Sequence, residues 1–273
     1  MGTSSVLAAS SSNWTPGKVM RVQKTPDYLA FASYIAATGV QFSLIITILH
    51  LIQIKIIPLL VIPQPLLDKV PAVIKSLQLA PLKSFFVWFL MAFFSVRSRI
   101  FSPLDNSRPN ADKNDTVFKD RLRPSWQPPP IAFPIIWSNI ALLRAISATI
   151  IFNTTGTLLC NPLFAFMFHL SCGDTWNTIN NVEGRLGTAA LIVPSVLITA
   201  AYTTFQYYQV RPLAAKLLSP SVLWLLIANC LVFTIFKINN TGRKYALFPA
   251  KGESFRCKWR MPLLTRKTEV NRL

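Results

Sequence analysis

A chain of 273 residues that is 52% hydrophobic and only 14% charged, with a mean hydropathy of +0.41, lacks the roughly 25% charged residues that give a soluble domain its surface. These values exclude a soluble enzyme and point to an all-α membrane protein, a bundle of about five transmembrane helices with extra segments at both ends. The formal charge of +18 sits at the edges of apolar stretches and in the tail, with no RNA- or DNA-binding motif, so it favours a membrane surface over nucleic acid.

Residues 1–30 are rich in Ser, Ala and Thr, with Lys18, Arg21 and Lys24 and no acid before Asp27. That composition fits an organelle transit peptide and fits a disordered, solvated N-terminus equally well. Met1-Gly2 does not open a myristoylation signal, because Val6 stands where Ser or Thr is required.

The first span is expected over residues 31–54, about 24 residues without formal charge, enough to cross a hydrocarbon core of about 30 Å. Lys55 and Pro58 end it. Residues 56–83, punctuated by proline and by Lys69, Lys75 and Lys83, read as interfacial backbone. The run 84–96 is intensely apolar but lies between Lys83 and Arg97. It is short for a span, so an interfacial or re-entrant helix is expected, with a sixth span as the alternative. Residues 97–123 are a polar loop.

Four spans follow over 131–152, 162–179, 186–208 and 222–238. The short uncharged connection 153–161 makes the first two antiparallel neighbours. The 97–123 loop, the Glu183–Arg185 turn and the tail fall on one side of the bilayer, which the positive-inside rule makes the cytosolic side or its equivalent. Positions near Asp112 and Arg260 should therefore share a face. With five spans the N-terminus lies across the membrane; with six it joins the tail. The tail from residue 240 carries nine Lys/Arg against Glu253 and Glu269, suited to anionic lipid headgroups.

Cys160, Cys172, Cys230 and Cys257 have no CxxC or zinc-ligand spacing, so neither a disulfide framework nor a metal site is expected. The N-x-S/T sequences at Asn13, Asn114, Asn153 and Asn239 read as chance matches.

The informative stretch is Arg123-Pro124-Ser125-Trp126-Gln127-Pro128-Pro129-Pro130, followed by Phe133 and Trp137. Prolines suit a first helical turn and block extension backwards. Trp126 suits the headgroup zone. Trp137 lies eleven residues on, about 16 Å deeper along a helix, where an interfacial belt no longer accounts for it.

These residues resemble the translocator protein family, also called tryptophan-rich sensory proteins or peripheral-type benzodiazepine receptors. That family opens its second helix with P-S-W-x-P-P and places a second Trp eleven residues after the first. Further matches are Trp176, Tyr207-Tyr208-Gln209-Val210, Pro212-Leu213-Ala214, and Pro220 with Trp224. The resemblance covers about residues 121–239, giving a core over 124–239 preceded by a first helix, interfacial segment and loop over 31–123.

The resemblance implies a five-helix bundle that binds tetrapyrroles such as protoporphyrin or haem as ligands rather than obligatory cofactors. It also implies frequent dimers, an organellar (plastid or mitochondrial) or bacterial outer-membrane setting, and a transport, sensing or stress role. Trp137 and Trp224 match the family's pocket tryptophans, and Trp126, Pro128 and Pro129 its loop beside the pocket; flat apolar rings suit a planar macrocycle. Two stretches depart from the pattern. His169-Leu170-Ser171-Cys172-Gly173 stands where Gln-Leu-x-Leu-Asn is usual, and Leu231, Phe233 and Lys237 occupy a sterol motif without its Tyr hydroxyl.

Arg144 falls mid-span, where a charge costs at least about 2.5 kcal/mol on insertion scales, so it must face the bundle or a cavity. Pairing the spans about the 153–161 turn puts Arg144 level with His169 and Trp137 level with Trp176. Asp174 then lies about 7.5 Å from the Arg144 level by helical rise. One reading is a structural Arg144–Asp174 pair; the other is a cationic anchor for a porphyrin propionate. His169 is an axial-ligand candidate for haem iron, although a lone His in an apolar span is more often a packing residue. His50 is a weaker one.

Three functions compete: a tetrapyrrole-binding carrier or sensor, an enzyme that promotes oxidative breakdown of a bound porphyrin, and a scaffold with a vestigial pocket. No catalytic triad, metal cluster or phosphate loop is present in the sequence, so ordinary hydrolysis or group transfer is not expected.

Overall fold

A computed structural model describes residues 25–60, 80–105, 121–240, 245–251 and 259. Most of the expected N-terminal leader, the middle of the 97–123 loop with Asp112, and most of the basic tail with Arg260 lie outside the described residues.

Six α-helices make up the described chain. Helix α1 (Tyr28–Lys55) starts at Asp27, whose carboxylate accepts from the backbone N–H of Ala30 at 3.0 Å. The cap satisfies one of the orphan donors of the first turn. Lys55 closes the helix, and a 3₁₀ turn (Ile57–Leu60) carries Pro58.

Helix α2 (Ala80–Arg97) corrects the reading of 84–96 as an interfacial segment. It runs into a 3₁₀ turn (Ser98–Phe101), and residues Leu82–Phe101 are long and apolar enough to cross a membrane. Lys83 and Arg97 were read as its limits, but both lie inside the helix. Their long aliphatic stems let the charged heads reach outward while the backbone stays helical. Lys83 Nζ sits 5.2 Å from the Phe152 ring centroid, a contact available to a lysine only near the membrane edge.

Helix α3 (Ala132–Thr155) ends at Gly156, whose φ of 72° is the left-handed conformation that glycine adopts without strain. Helix α4 (Asn161–Asn177) begins with Pro162 in its first turn and continues as a π turn (Thr178–Val182). Helix α5 (Leu186–Val210) accommodates Pro194. Helix α6 (Pro212–Asn239) starts ten residues before the expected 222–238, because Pro212 opens it and Pro220 is tolerated inside. Membrane helices absorb such prolines when neighbouring groups re-satisfy the backbone.

Helices α2, α3, α6, α5 and α4 pack in that order into a ring, closed where α4 meets the 98–101 turn, so α3 and α4, expected as neighbours, face each other across it instead. Helix α1 lies outside it, against α4. The fold is therefore an all-α five-helix bundle with one additional N-terminal helix; among the described residues α1, α2, α3, α5 and α6 are long and apolar enough to cross a membrane, and α4 has 17 residues.

Backbone contacts settle the arrangement of ends. Asp27 N–H donates to Pro249 O at 2.6 Å, and Leu122 and Asn239 exchange two bonds at 2.8 Å. Leu104 forms an isolated bridge with Trp259. The start of α1, the polar loop and the tail thus share one end, as six spans require. The loop and the tail share that end as the sequence orientation expects. Gly187 is a close-approach site there: a Cβ on it would sit 2.0 Å from the Ala246 carbonyl oxygen. Tyr34 on α1 donates to Glu183, which also holds Arg185 at 3.0 Å, both side chains being buried.

The dry core occupies the opposite half. Ile45 and Leu49 of α1, Met91 and Phe94 of α2, Ile151 and Phe152 of α3, Phe166 of α4 and Tyr207 of α5 form one cluster. A hollow opens in the half nearer the polar loop, beside smaller buried clusters around Ala37, Ala190 and Val196.

Candidate functional site

That hollow is a cavity of about 490 Å³, within the usual range for small-molecule and cofactor sites. Helix periodicity explains its walls, because residues three, four and seven apart share a face. From α3 come Pro134, Trp137, Ser138, Ala141 and Arg144; from α4 come His169, Leu170, Gly173, Asp174, Trp176 and Asn177. Ser95, Val96, Ser98 and Arg99 close it from α2 and its 3₁₀ turn, Val193 and Val196 from α5, Leu225 and Ala228 from α6.

Four of the expected site residues meet here. Arg144 is 6% exposed and its guanidinium donates to His169 Nε2 at 2.8 Å, the level pairing expected from the 153–161 turn. Its Cζ lies 5.8 Å from the Trp137 ring centroid, a cation–π contact. Trp137 is 37% exposed, so it is a wall of the cavity and not a core residue. Trp176 is tied to α5 by its indole N–H, which donates to Ala189 O at 3.1 Å.

The direct Arg144–Asp174 pair is not formed. Asp174 Oδ2 instead accepts from Gln41 Nε2 at 2.7 Å and from Ser98 Oγ at 2.6 Å. Among the described residues no carboxylate lies within ion-pair distance of Arg144, and its Nε has no partner. A buried cation is thus held by a neutral imidazole and an aromatic face, beside open space. Such a site suits an incoming anion, since the ligand would supply the missing counter-charge.

His169 is engaged on both nitrogens. Nε2 takes the bond from Arg144, an Arg having no acceptor atoms, so the proton sits on Nδ1, 3.2 Å from Thr199 Oγ1. The lone pair an axial haem ligand would use is therefore occupied.

The remaining expected residues stand apart from the cavity. Trp126, 47% exposed, lies with Pro128 and Pro129 in the turn leading to α3. Trp224 is buried on α6 with its edge on Phe133, ring centroids 5.9 Å apart, and its neighbour Leu225 reaches the cavity instead. Sequence reasoning missed Gln41, Ser98 and Arg99. Gln41 is a neutral polar residue that breaks no pattern in an apolar run, and Ser98 and Arg99 read as part of the 97–123 loop.

The model of the TspO/MBR family matches residues 89–238, which reaches back beyond residue 121 and takes in the second half of α2. Curated relatives agree. Protein CrtK of Rhodobacter capsulatus is 27% identical over 122 residues, 43% of this chain and 74% of its own. The translocator protein of Homo sapiens is 27% identical over 124 residues, 44% of this chain and 73% of its own. The tryptophan-rich sensory protein of Cereibacter sphaeroides is 24% identical over 127 residues, 46% and 79% respectively. Helix α1 precedes the matched region, and the ring α2–α6 holds it, so the chain is an integral membrane protein that belongs to the TspO/MBR family.

Proposed function

We propose that this protein binds tetrapyrroles, protoporphyrin or haem, in the cavity between α2 and α6 and acts as a carrier or sensor of them. The observation that carries the reading is Arg144: a buried guanidinium beside Trp137, without a carboxylate partner, on the wall of a cavity of about 490 Å³. A planar macrocycle offers an apolar face to Trp137 and Trp176 and propionates to Arg144. Two of the relatives are called translocator protein and tryptophan-rich sensory protein, names that speak of translocation and sensing. Lipid is the other partner, with anionic headgroups at the basic tail, and the bundle is proposed to serve in an organellar membrane, alone or as a homodimer.

The role is proposed as binding without turnover. Titration of the detergent-solubilised protein with a tetrapyrrole panel tests it, with protoporphyrin against its dimethyl ester as the informative pair. Tighter binding of the free acid, with the porphyrin recovered unchanged in light and in dark, supports the reading. Failure to bind any porphyrin refutes it.

A further inference from the structure

Asp174 carries a feature that the anion site does not use. It is only 9% exposed, and both donors that reach it, Gln41 Nε2 and Ser98 Oγ, converge on Oδ2. Oδ1 accepts from no described residue, yet it is not among the fully enclosed polar atoms without partners. Since Asp174 lines the cavity, that oxygen faces the open space. A carboxylate this buried, with one oxygen saturated and the other bare, is a preset electron-pair donor.

The other walls offer no rival. The imidazole of His169 is occupied on both sides, and among the described residues no Cys, Met or Tyr lines the cavity. The serines and Asn177 are neutral, and Arg99 and Arg144 are cations. Ferric iron is a hard ion that accepts anionic oxygen ligands readily. Resting on the tetrapyrrole reading above, we propose that Asp174 Oδ1 is the axial ligand when the cavity holds a ferric porphyrin. Gln41 of the additional helix is the positioning residue, because together with Ser98 it pins Oδ2 and so turns Oδ1 inward. Oδ1 then replaces a water on the metal, with no change in oxidation state. Helix α1, outside the matched family region, thereby becomes part of the ligand site.

The substitution Asp174→Asn tests this sharply. Gln41 Nε2 is held toward this position by its bond to Ser98 O, so it donates to the amide oxygen and leaves the NH₂ group toward the cavity. The ligand atom is thereby replaced by a donor at nearly constant shape. Haem (ferric) and metal-free protoporphyrin are titrated into the full-length wild type, Asp174→Asn and Gln41→Leu, reading Kd and the absorption spectrum. For Asp174→Asn the haem Kd is expected to rise at least tenfold with a shifted Soret band, while the protoporphyrin Kd changes less than threefold. Gln41→Leu is expected to shift the haem spectrum in the same direction with a smaller loss of affinity, and it carries the test if Asp174→Asn fails to fold. Equal losses for both porphyrins, or an unaltered haem spectrum in both variants, would overturn the assignment while leaving the tetrapyrrole reading in place. If the wild type binds neither porphyrin, the tetrapyrrole reading fails and this assignment with it.

Discussion

Arg144 on α3 donates to His169 Nε2 on α4 at 2.8 Å, and the carboxylate of Asp174, five residues further along α4, turns away to Gln41 and Ser98. Arg144 and Asp174 therefore share no hydrogen bond, each being bonded to neutral partners, while Arg99 adds a second cation to the lining. An ion pair between the first two would have cancelled their charges and filled the space between. Separation leaves a hollow with Arg144 and Asp174 on different walls, capable of orienting an amphipathic ligand rather than merely enclosing it.

Trp137 should contribute stacking, because its ring is a third exposed at the cavity and braced by the Arg144 guanidinium. Trp137→Ala is expected to weaken protoporphyrin binding by about 0.5–1.5 kcal/mol beyond the loss of buried area, roughly two- to tenfold in Kd. Fluorescence titration of the folded variant checks this. An unchanged Kd would remove the residue from the site.

The arrangement of ends predicts labelling. In a background without the four native cysteines, Leu122→Cys and Leu247→Cys should react with a membrane-impermeant thiol reagent from one face of a sealed vesicle. Thr154→Cys should react from the other. All three side chains are exposed; the Leu122–Asn239 bonds place Leu122 at the close of α6, and the approach of Ala246 to Gly187 places Leu247 at the start of α5, the same end. Opposite labelling of Leu122→Cys and Leu247→Cys would refute the six-helix topology.

Gly187 lets the 245–251 segment close on the start of α5. Gly187→Ala would push a methyl group into a backbone carbonyl, which cannot swing aside as a side-chain tip can. Overpacking of this kind costs about 1–3 kcal/mol. A lower melting temperature in detergent is expected, together with faster proteolysis near Ala246. Wild-type values of both would show that the tail contact contributes nothing to stability.

Much of the bundle was legible because a membrane span is written in length and in the absence of charge. The 153–161 turn even fixed the register that joins Arg144 to His169, since rise per residue is constant in both helices. The same criterion misjudged 84–96. Counting from Lys83 to Arg97 treated two basic residues as boundaries, whereas α2 carries both within its turns. The cavity was legible at its aromatic and charged residues, Trp137, Arg144, His169 and Trp176. Gln41 was not: it is one neutral polar residue in a run without charge, and its partner is 133 positions away. Trp224 shows the reverse limit, for spacing places a residue on a helix but not on the correct face of it. The family motif pointed there, and the ring turned toward Phe133.

Arg144 allows the strongest discrimination between a structural and a ligand-binding cation. A cation that holds the helices together would be missed in the unliganded protein, so its removal should lower the melting temperature. A cation awaiting an anion is a standing cost, since taking a charge out of water is expensive, and an apolar side chain of similar bulk removes that cost. Arg144→Leu is therefore expected to keep or raise the unliganded melting temperature, although His169 loses its donor. In the same variant protoporphyrin should lose its advantage over the dimethyl ester, because that advantage is a charge-assisted hydrogen bond. Such bonds contribute about 1.5–3 kcal/mol, or roughly ten- to hundredfold in Kd. Arg144→Lys should fall between, keeping the charge but not the planar fork that grips both carboxylate oxygens. A lower melting temperature combined with an undiminished preference for the free acid would assign Arg144 to the scaffold, and the anion would then have to bind elsewhere in the bundle.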